Sequence, residues 1–188
     1  MKKKISLKEI VVLAMIAALM GVVFTGIDAI YEPLKALTGP FGGAIIYGAY
    51  LISALLSMYL VRKPGAGLIG SLFTGIVNLL MGSPYGIHII VASLLQGIGV
   101  EAAIAIGGYK KFNLLQMSLG AVLAMIFVTI RDYFVFGFAL YGNLMVPIMV
   151  VRTISSIVFG AGLTVVIGKA LRDTGVLSGF KIEAEVGE

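Results

Sequence analysis

The chain reads as six long apolar runs separated by short clusters of polar, glycine and proline residues. Each run is roughly twenty residues long, the length a helix needs to cross the hydrocarbon core of a bilayer. The breakers place the cuts: Pro33, Gly39 and Pro40, then Pro64-Gly65, Gly82-Ser83-Pro84, Gly107-Gly108, and Gly142-Asn143 with Pro147. Helices are therefore predicted over 7–30, 41–61, 65–82, 87–107, 113–137 and 145–170. The fold class is an all-α membrane protein, a six-transmembrane-helix bundle. Residues 1–172 form the bundle, and residues 173–188 form a polar tail.

With 60% hydrophobic residues, 12% charged residues and a mean hydropathy of +1.08, the few charges can be placed one by one. The net charge of +5 would suit nucleic acid, but the basic residues sit at the ends of the runs, which is a topology signal. Lys2, Lys3, Lys4 and Lys8 precede or open the first helix. Arg62-Lys63 and Lys110-Lys111 fill the second and fourth connections, and Lys169, Arg172 and Lys181 close the chain. The opposite connections carry only Lys35. The positive-inside rule puts both termini in the cytoplasm and makes this a multi-pass cell-membrane protein. A secretory leader is a poorer reading of Lys2-Lys3-Lys4, because the run from Ile10 to Gly26 is too long for a signal core. The chain has no cysteine, which excludes disulfides, thiolate metal sites and cysteine nucleophiles. It contains no phosphate-binding Walker loop, HExxH or GxSxG. One histidine and scattered carboxylates give no metal-ligand spacing.

An ionisable group in a span costs about 2.5–3.5 kcal/mol at mid-bilayer, so each needs a partner, a water cavity or a role. The polar span residues are Asp28, Glu32, Asn78, His88, Gln96, Glu101, Arg131, Asp132 and Arg152. All except mid-depth Gln96 and cytoplasmic-side Glu101 gather at the outer ends of five helices. His88, Ala92 and Gln96 share a helical face at i, i+4 and i+8. Tyr31, Tyr47, Tyr85, Tyr133 and Tyr141 lie at the same level. Aromatic rings with a few convergent polar groups describe a small-molecule pocket. Blander readings stand beside this one: an interfacial tyrosine belt, a structural Arg131/Asp132/Arg152 salt bridge, solvated Asp28 and Glu32, and a packing role for Glu101. Four acids against two arginines in the spans would favour a cationic ligand. On the first helix, Ala14 and Ala18 form a small-residue pair that lets another helix approach closely, within the bundle or from a separate subunit.

The local strings carry a resemblance. Leu37-Thr38-Gly39-Pro40-Phe41-Gly42-Gly43-Ala44, Arg62-Lys63-Pro64-Gly65-Ala66, Gly82-Ser83-Pro84-Tyr85-Gly86, Gln96-Gly97-Ile98-Gly99-Val100-Glu101 and Gly108-Tyr109-Lys110-Lys111 resemble, in order and over nearly the whole chain, the YkoE family. These are S components of energy-coupling-factor vitamin transporters. The resemblance implies a permease subunit for thiamine or hydroxymethylpyrimidine. It would have no cofactor of its own and would work with a transmembrane coupling subunit and cytoplasmic ATPase subunits that hydrolyse ATP. Tyr85 stands where the family usually has tryptophan, and Asn78 where an acidic residue is common, which leaves the ring open between the two. The site residues expected are Glu32, Asn78, Tyr85, His88, Gln96, Arg131, Asp132, Tyr133 and Arg152, in a pocket between helices three to six under the loop from Tyr31 to Gly39. Ala14 and Ala18 would dock the coupling subunit. The alternative from another class is a small membrane enzyme or scaffold built on Arg131, Asp132 and Arg152.

The charge asymmetry generates a direct test of topology. Cysteines placed at Lys35 and Asn143 should react with a membrane-impermeant reagent from outside the cell, and one placed at Lys110 should not. Labelling at Lys110 but not at Asn143 would reverse the orientation.

Overall fold

The computed structural model describes residues 4–175 and 177–182, and among these the chain is helical without strands. Lys2, Lys3 and residues 183–188 of the expected tail lie outside the described residues. Five helices are long and apolar enough to cross a membrane: α1 (Leu7–Thr38), α2 (Pro40–Val61), α4 (His88–Ile106), α5 (Leu114–Val135) and α6 (Phe138–Asp173). The sixth apolar helix, α3 (Ala66–Leu80), has only 15 residues. The helix pattern thus follows the apolar runs, with α3 shorter than expected.

The ends have local causes. Ser6 and Glu9 form a reciprocal capping box at the start of α1, satisfying two of the orphan donors there. The expected stop near residue 30 does not occur. Pro33 sits inside α1, where it removes one hydrogen bond without ending the helix. The break comes at Gly39, whose φ of +65° is open to glycine alone among ordinary residues, and Pro40 then opens α2 at its first turn. The last break also lies earlier than Gly142: α5 ends at Val135, and Gly137 (φ +67°) starts a 3₁₀ turn over Phe138–Leu144.

α2 is the central helix. Its apolar window is 78% buried, against 28–44% in the other long helices. Glycines sit where helices touch: a Cβ on Gly21 would strike Val77, one on Gly70 would strike Ser57, and one on Gly99 would strike the Ala124 backbone. Such contacts let apolar helices associate by close packing where lipid supplies no hydrophobic drive. Two helices are irregular. α2 tightens to 3₁₀ over Tyr47–Leu51, and α6 widens to π over Ser156–Gly162. The irregular segments pack on each other. Ser155 Oγ donates to Ile45 O at 2.5 Å and accepts from Gly48 N at 2.9 Å, and the Gly48 Cα rests on the Ser155 carbonyl.

The end of the bundle where α1 begins and α6 ends is latched by charge. Lys63 pairs with Glu9 at 2.7 Å. The Arg62 guanidinium lies 5.3 and 5.0 Å from the ring centroids of Tyr59 and Phe112. Glu101 accepts Gly67 N at 3.0 Å and the Tyr109 hydroxyl at 2.7 Å, so one carboxylate binds the start of α3 to the α4–α5 turn. This is the packing role for Glu101. Burial and the Glu101 bond push the Tyr109 hydroxyl above its ordinary pKa. The segment after residue 173 differs from a polar tail as far as it is described: Leu177, Phe180 and Ile182 are buried in the main core, and Lys8 Nζ donates to Ser178 O at 2.5 Å.

Gly48→Ala should therefore lower stability by about 1–3 kcal/mol, the usual cost of overpacking. Gly26 has open space around it, so Gly26→Ala should be neutral or stabilise by up to about 1 kcal/mol through helix propensity. Thermal unfolding in detergent checks both. Equal effects would mean that the α2–α6 contact is not tight.

Candidate functional site

A cavity of about 180 Å³ opens at the other end of the bundle, under the α1–α2, α3–α4 and α5–α6 connections. Because α1 runs on past residue 30, Phe24, Asp28, Tyr31 and Lys35 share one of its faces and all line the cavity, with Glu32 beside them. In the 3₁₀ turn of α2, residues three apart eclipse, and Tyr47 and Tyr50 both point in. α3 brings Asn78 from its last turn, and the α3–α4 loop brings Tyr85. α4 contributes Ala92, Ser93 and Gln96, and α5 contributes Arg131 and Asp132. Phe136, Phe138, Tyr141 and Arg152 complete the wall. The site is thus built by all six helices, not by helices three to six under a loop.

Asp132 is held between two guanidiniums. Arg131 Nη2 approaches Asp132 Oδ1 at 2.7 Å, and Arg152 Nη1 approaches Asp132 Oδ2 at 2.9 Å. Arg131 Nη1 also donates to His88 O at 2.9 Å, and Arg152 Nη1 to Thr129 Oγ1 at 3.1 Å. Both guanidiniums face rings, Arg131 at 4.8 Å from Phe136, and Arg152 at 4.6 Å from Tyr47 and 4.8 Å from Phe138. The salt bridge is structural and also forms a cavity wall. Its one carboxylate is engaged on both oxygens.

Asp28 is not solvated as one reading had it. It is 3% exposed, and accepts the Tyr50 hydroxyl on Oδ1 and the Ser83 hydroxyl on Oδ2, both at 2.8 Å. Glu32 is exposed at the mouth. The cavity holds Asp28, Glu32 and Asp132 against Lys35, Arg131 and Arg152, so the expected excess of acid is absent there.

Buried polar atoms in folded proteins nearly always have partners. Among the described residues six buried side-chain polar atoms lack one, and four of these belong to the cavity: Tyr47 Oη, Asn78 Oδ1, Tyr85 Oη and Arg152 Nε. Gln96 is 6% exposed and lines the cavity from α4. Burial raises the pKa of the Tyr85 hydroxyl, with Tyr31 and Glu32 adding to the effect, so it remains a donor at neutral pH. Over the mouth, rings meet edge to face: Tyr31 with Tyr85 at 6.1 Å, Tyr85 with Phe136 at 6.3 Å, and His88 with Phe136 at 5.3 Å.

Of the residues expected from sequence, Glu32, Asn78, Tyr85, Gln96, Arg131, Asp132 and Arg152 come together around the cavity. His88 does not line it; the ring stacks outside on Phe136. Tyr133 is 44% exposed, stacks on Phe134 and lines a lateral apolar groove between α5 and α6. It fails because residues 132 and 133 point to different faces of α5. The sequence pattern does not single out Tyr50, Phe136 or Phe138, which also line the cavity; the aromatic pair flanking Gly137 is the available signal for the last two. Ala14 and Ala18 lie on the exposed face of α1, among exposed Val11, Met15 and Leu19.

An apolar helical bundle with a polar, ring-lined cavity at one end suits a membrane-embedded substrate-binding subunit. A solved structure described as an S component of an ECF transporter matches with a TM-score of 0.93 at 30% identity, over 96% of this chain and 92% of that one. Residues 8–127 match the family described as the permease component of an ABC-type cobalt transport system. The HMP/thiamine permease protein YkoE of Bacillus subtilis (strain 168) is 33% identical over 190 residues, covering 98% of this chain and 93% of that protein. The chain is an integral membrane protein and belongs to the YkoE family of transporter permease subunits.

Proposed function

We propose that this protein is the substrate-binding subunit of an ATP-driven vitamin uptake transporter and captures thiamine or its hydroxymethylpyrimidine precursor from outside the cell. The observation that carries the reading is the convergence of four unpaired buried polar atoms on one aromatic-lined cavity. A flat heteroaromatic ring can lie among the tyrosines. Its edge would exchange hydrogen bonds with Asn78 and Gln96 near the floor, and with Tyr47, Tyr85 and Arg152 on the walls. The B. subtilis relative carries HMP and thiamine in its name, and those ligands have the flat, nitrogen-rich rings this chemistry suits. The donor set does not suit cobalt: among the described residues no three His, Asp or Glu side chains come together.

The transport reading includes six crossings with both termini in the cytoplasm. Residues 1–172 would be the membrane domain, in the cell membrane, with the cavity facing outward. ATP would be hydrolysed by cytoplasmic partner subunits. A transmembrane coupling subunit would pack against the exposed stripe of α1 around Ala14 and Ala18.

Binding calorimetry on purified protein tests the ligand. Losing a bond that leaves a buried polar group unpaired costs about 1–3 kcal/mol, so Gln96→Ala and Asn78→Ala should each weaken binding roughly 5- to 150-fold. Asn78→Glu should shift preference toward cationic thiamine. Wild-type affinity for both ligands in both truncations would place the site elsewhere.

Uptake in cells tests coupling separately. The pair Ala14→Leu/Ala18→Leu should abolish transport and leave ligand binding intact. Unchanged uptake would remove the docking role.

A further inference from the structure

The cavity's three acids are not equivalent. Asp132 has two arginines. Glu32 is exposed at the mouth, one turn below Lys35. Asp28 alone is buried, lines the cavity, and has no cation within ion-pairing distance among the described residues; its two partners are the neutral hydroxyls of Tyr50 and Ser83. A buried carboxylate without a counter-charge is costly. Arg131 and Arg152 are both committed to Asp132, and the cavity's third cation, Lys35, lies two turns further along α1, one turn from Glu32. Phe24 and Tyr50 pack edge to face at 5.3 Å beside it, presenting ring surface of the kind that also attracts cations.

Resting on the binding function proposed above, we propose that Asp28 is a specificity-determining residue, and that it receives the positively charged ring of the ligand in preference to neutral analogues. The cationic end then lies against α1, and the acceptor-bearing end faces the guanidinium of Arg152, whose Nε is unpaired. Thiamine carries a fixed positive charge on its thiazolium ring and free hydroxymethylpyrimidine carries none, so Asp28 sets the order of preference between them. The geometry adds a consequence. Ser83 belongs to the loop that carries Tyr85 over the cavity, and its hydroxyl donates to the Asp28 carboxylate. The group that reads the ligand's charge therefore also holds the roof.

The test uses the full-length protein in detergent and three ligands: thiamine, a thiamine isostere with an uncharged thiophene ring in place of thiazolium, and hydroxymethylpyrimidine. The wild type should bind thiamine more tightly than the uncharged isostere by roughly 10- to 150-fold, the range for a hydrogen bond or contact to a charged group. In Asp28→Asn, which keeps the shape and one acceptor, that preference should vanish; it is read as the ratio of the two affinities within the variant, so that any loosening of the Ser83 roof acts on both ligands alike. Equal wild-type affinity for thiamine and the isostere overturns the assignment without any mutant having to fold. So does a preference for thiamine over the isostere that survives unchanged in Asp28→Asn. A wild type that binds none of the three contradicts the binding function itself, a result distinct from the other two.

Discussion

One carboxylate shared by two guanidiniums holds the polar end of this bundle together. Asp132 draws Arg131 on its own helix and Arg152 on α6 to a single point between α5 and α6. In an apolar surrounding neither arginine can be left alone, and removing the shared acid would strand two charges. Sharing also leaves a net positive charge and one unpaired donor, Arg152 Nε, on the cavity wall. The same pair thus explains why α6 can carry a cation deep in its first turns and why the cavity has a polar side opposite Asp28. Ring faces on Phe136, Tyr47 and Phe138 add the remaining contacts of the guanidiniums.

The two ends of the molecule divide the work. At the terminal end, Glu9, Lys63, Glu101, Tyr109 and the segment around Phe180 satisfy one another, and the result is a closed latch. At the cavity end, polar atoms are left without partners. A bilayer punishes unpaired polar groups, so a protein that keeps several in one place keeps them for a ligand. The helix distortions serve that end. The 3₁₀ turn of α2 aligns Tyr47 with Tyr50, and the π segment of α6 makes room for the close approach at Gly48.

The all-helical class was legible because apolar runs of span length have few alternative structures. Much of the cavity lining was legible too, since Asn78, Gln96, Arg131, Asp132 and Arg152 are expensive enough in a membrane to demand a reason. What was not legible depended on contacts distant in sequence. Asp28 reads as a solvated helix end until Ser83, 55 residues away, folds over it. Pro33 reads as a stop, but one missing hydrogen bond does not end the helix, which runs on to Thr38. Tyr133 and Tyr50 exchanged places because a half-turn of helix rotation, or a 3₁₀ turn, decides which ring faces in. Leu177, Phe180 and Ile182 are buried by a fold-back that a mostly polar segment does not advertise.

The chain has no tryptophan, and five of its eight tyrosines, Tyr31, Tyr47, Tyr50, Tyr85 and Tyr141, line the cavity. Its intrinsic fluorescence is therefore a direct report from the site. Titrating the purified protein with thiamine or hydroxymethylpyrimidine, with emission corrected for ligand absorbance, tests the central claim that this cavity is the vitamin site. The account predicts a saturable change that reaches its end point at one ligand per chain. Tyrosine emission that stays flat through saturating concentrations of both ligands would contradict it.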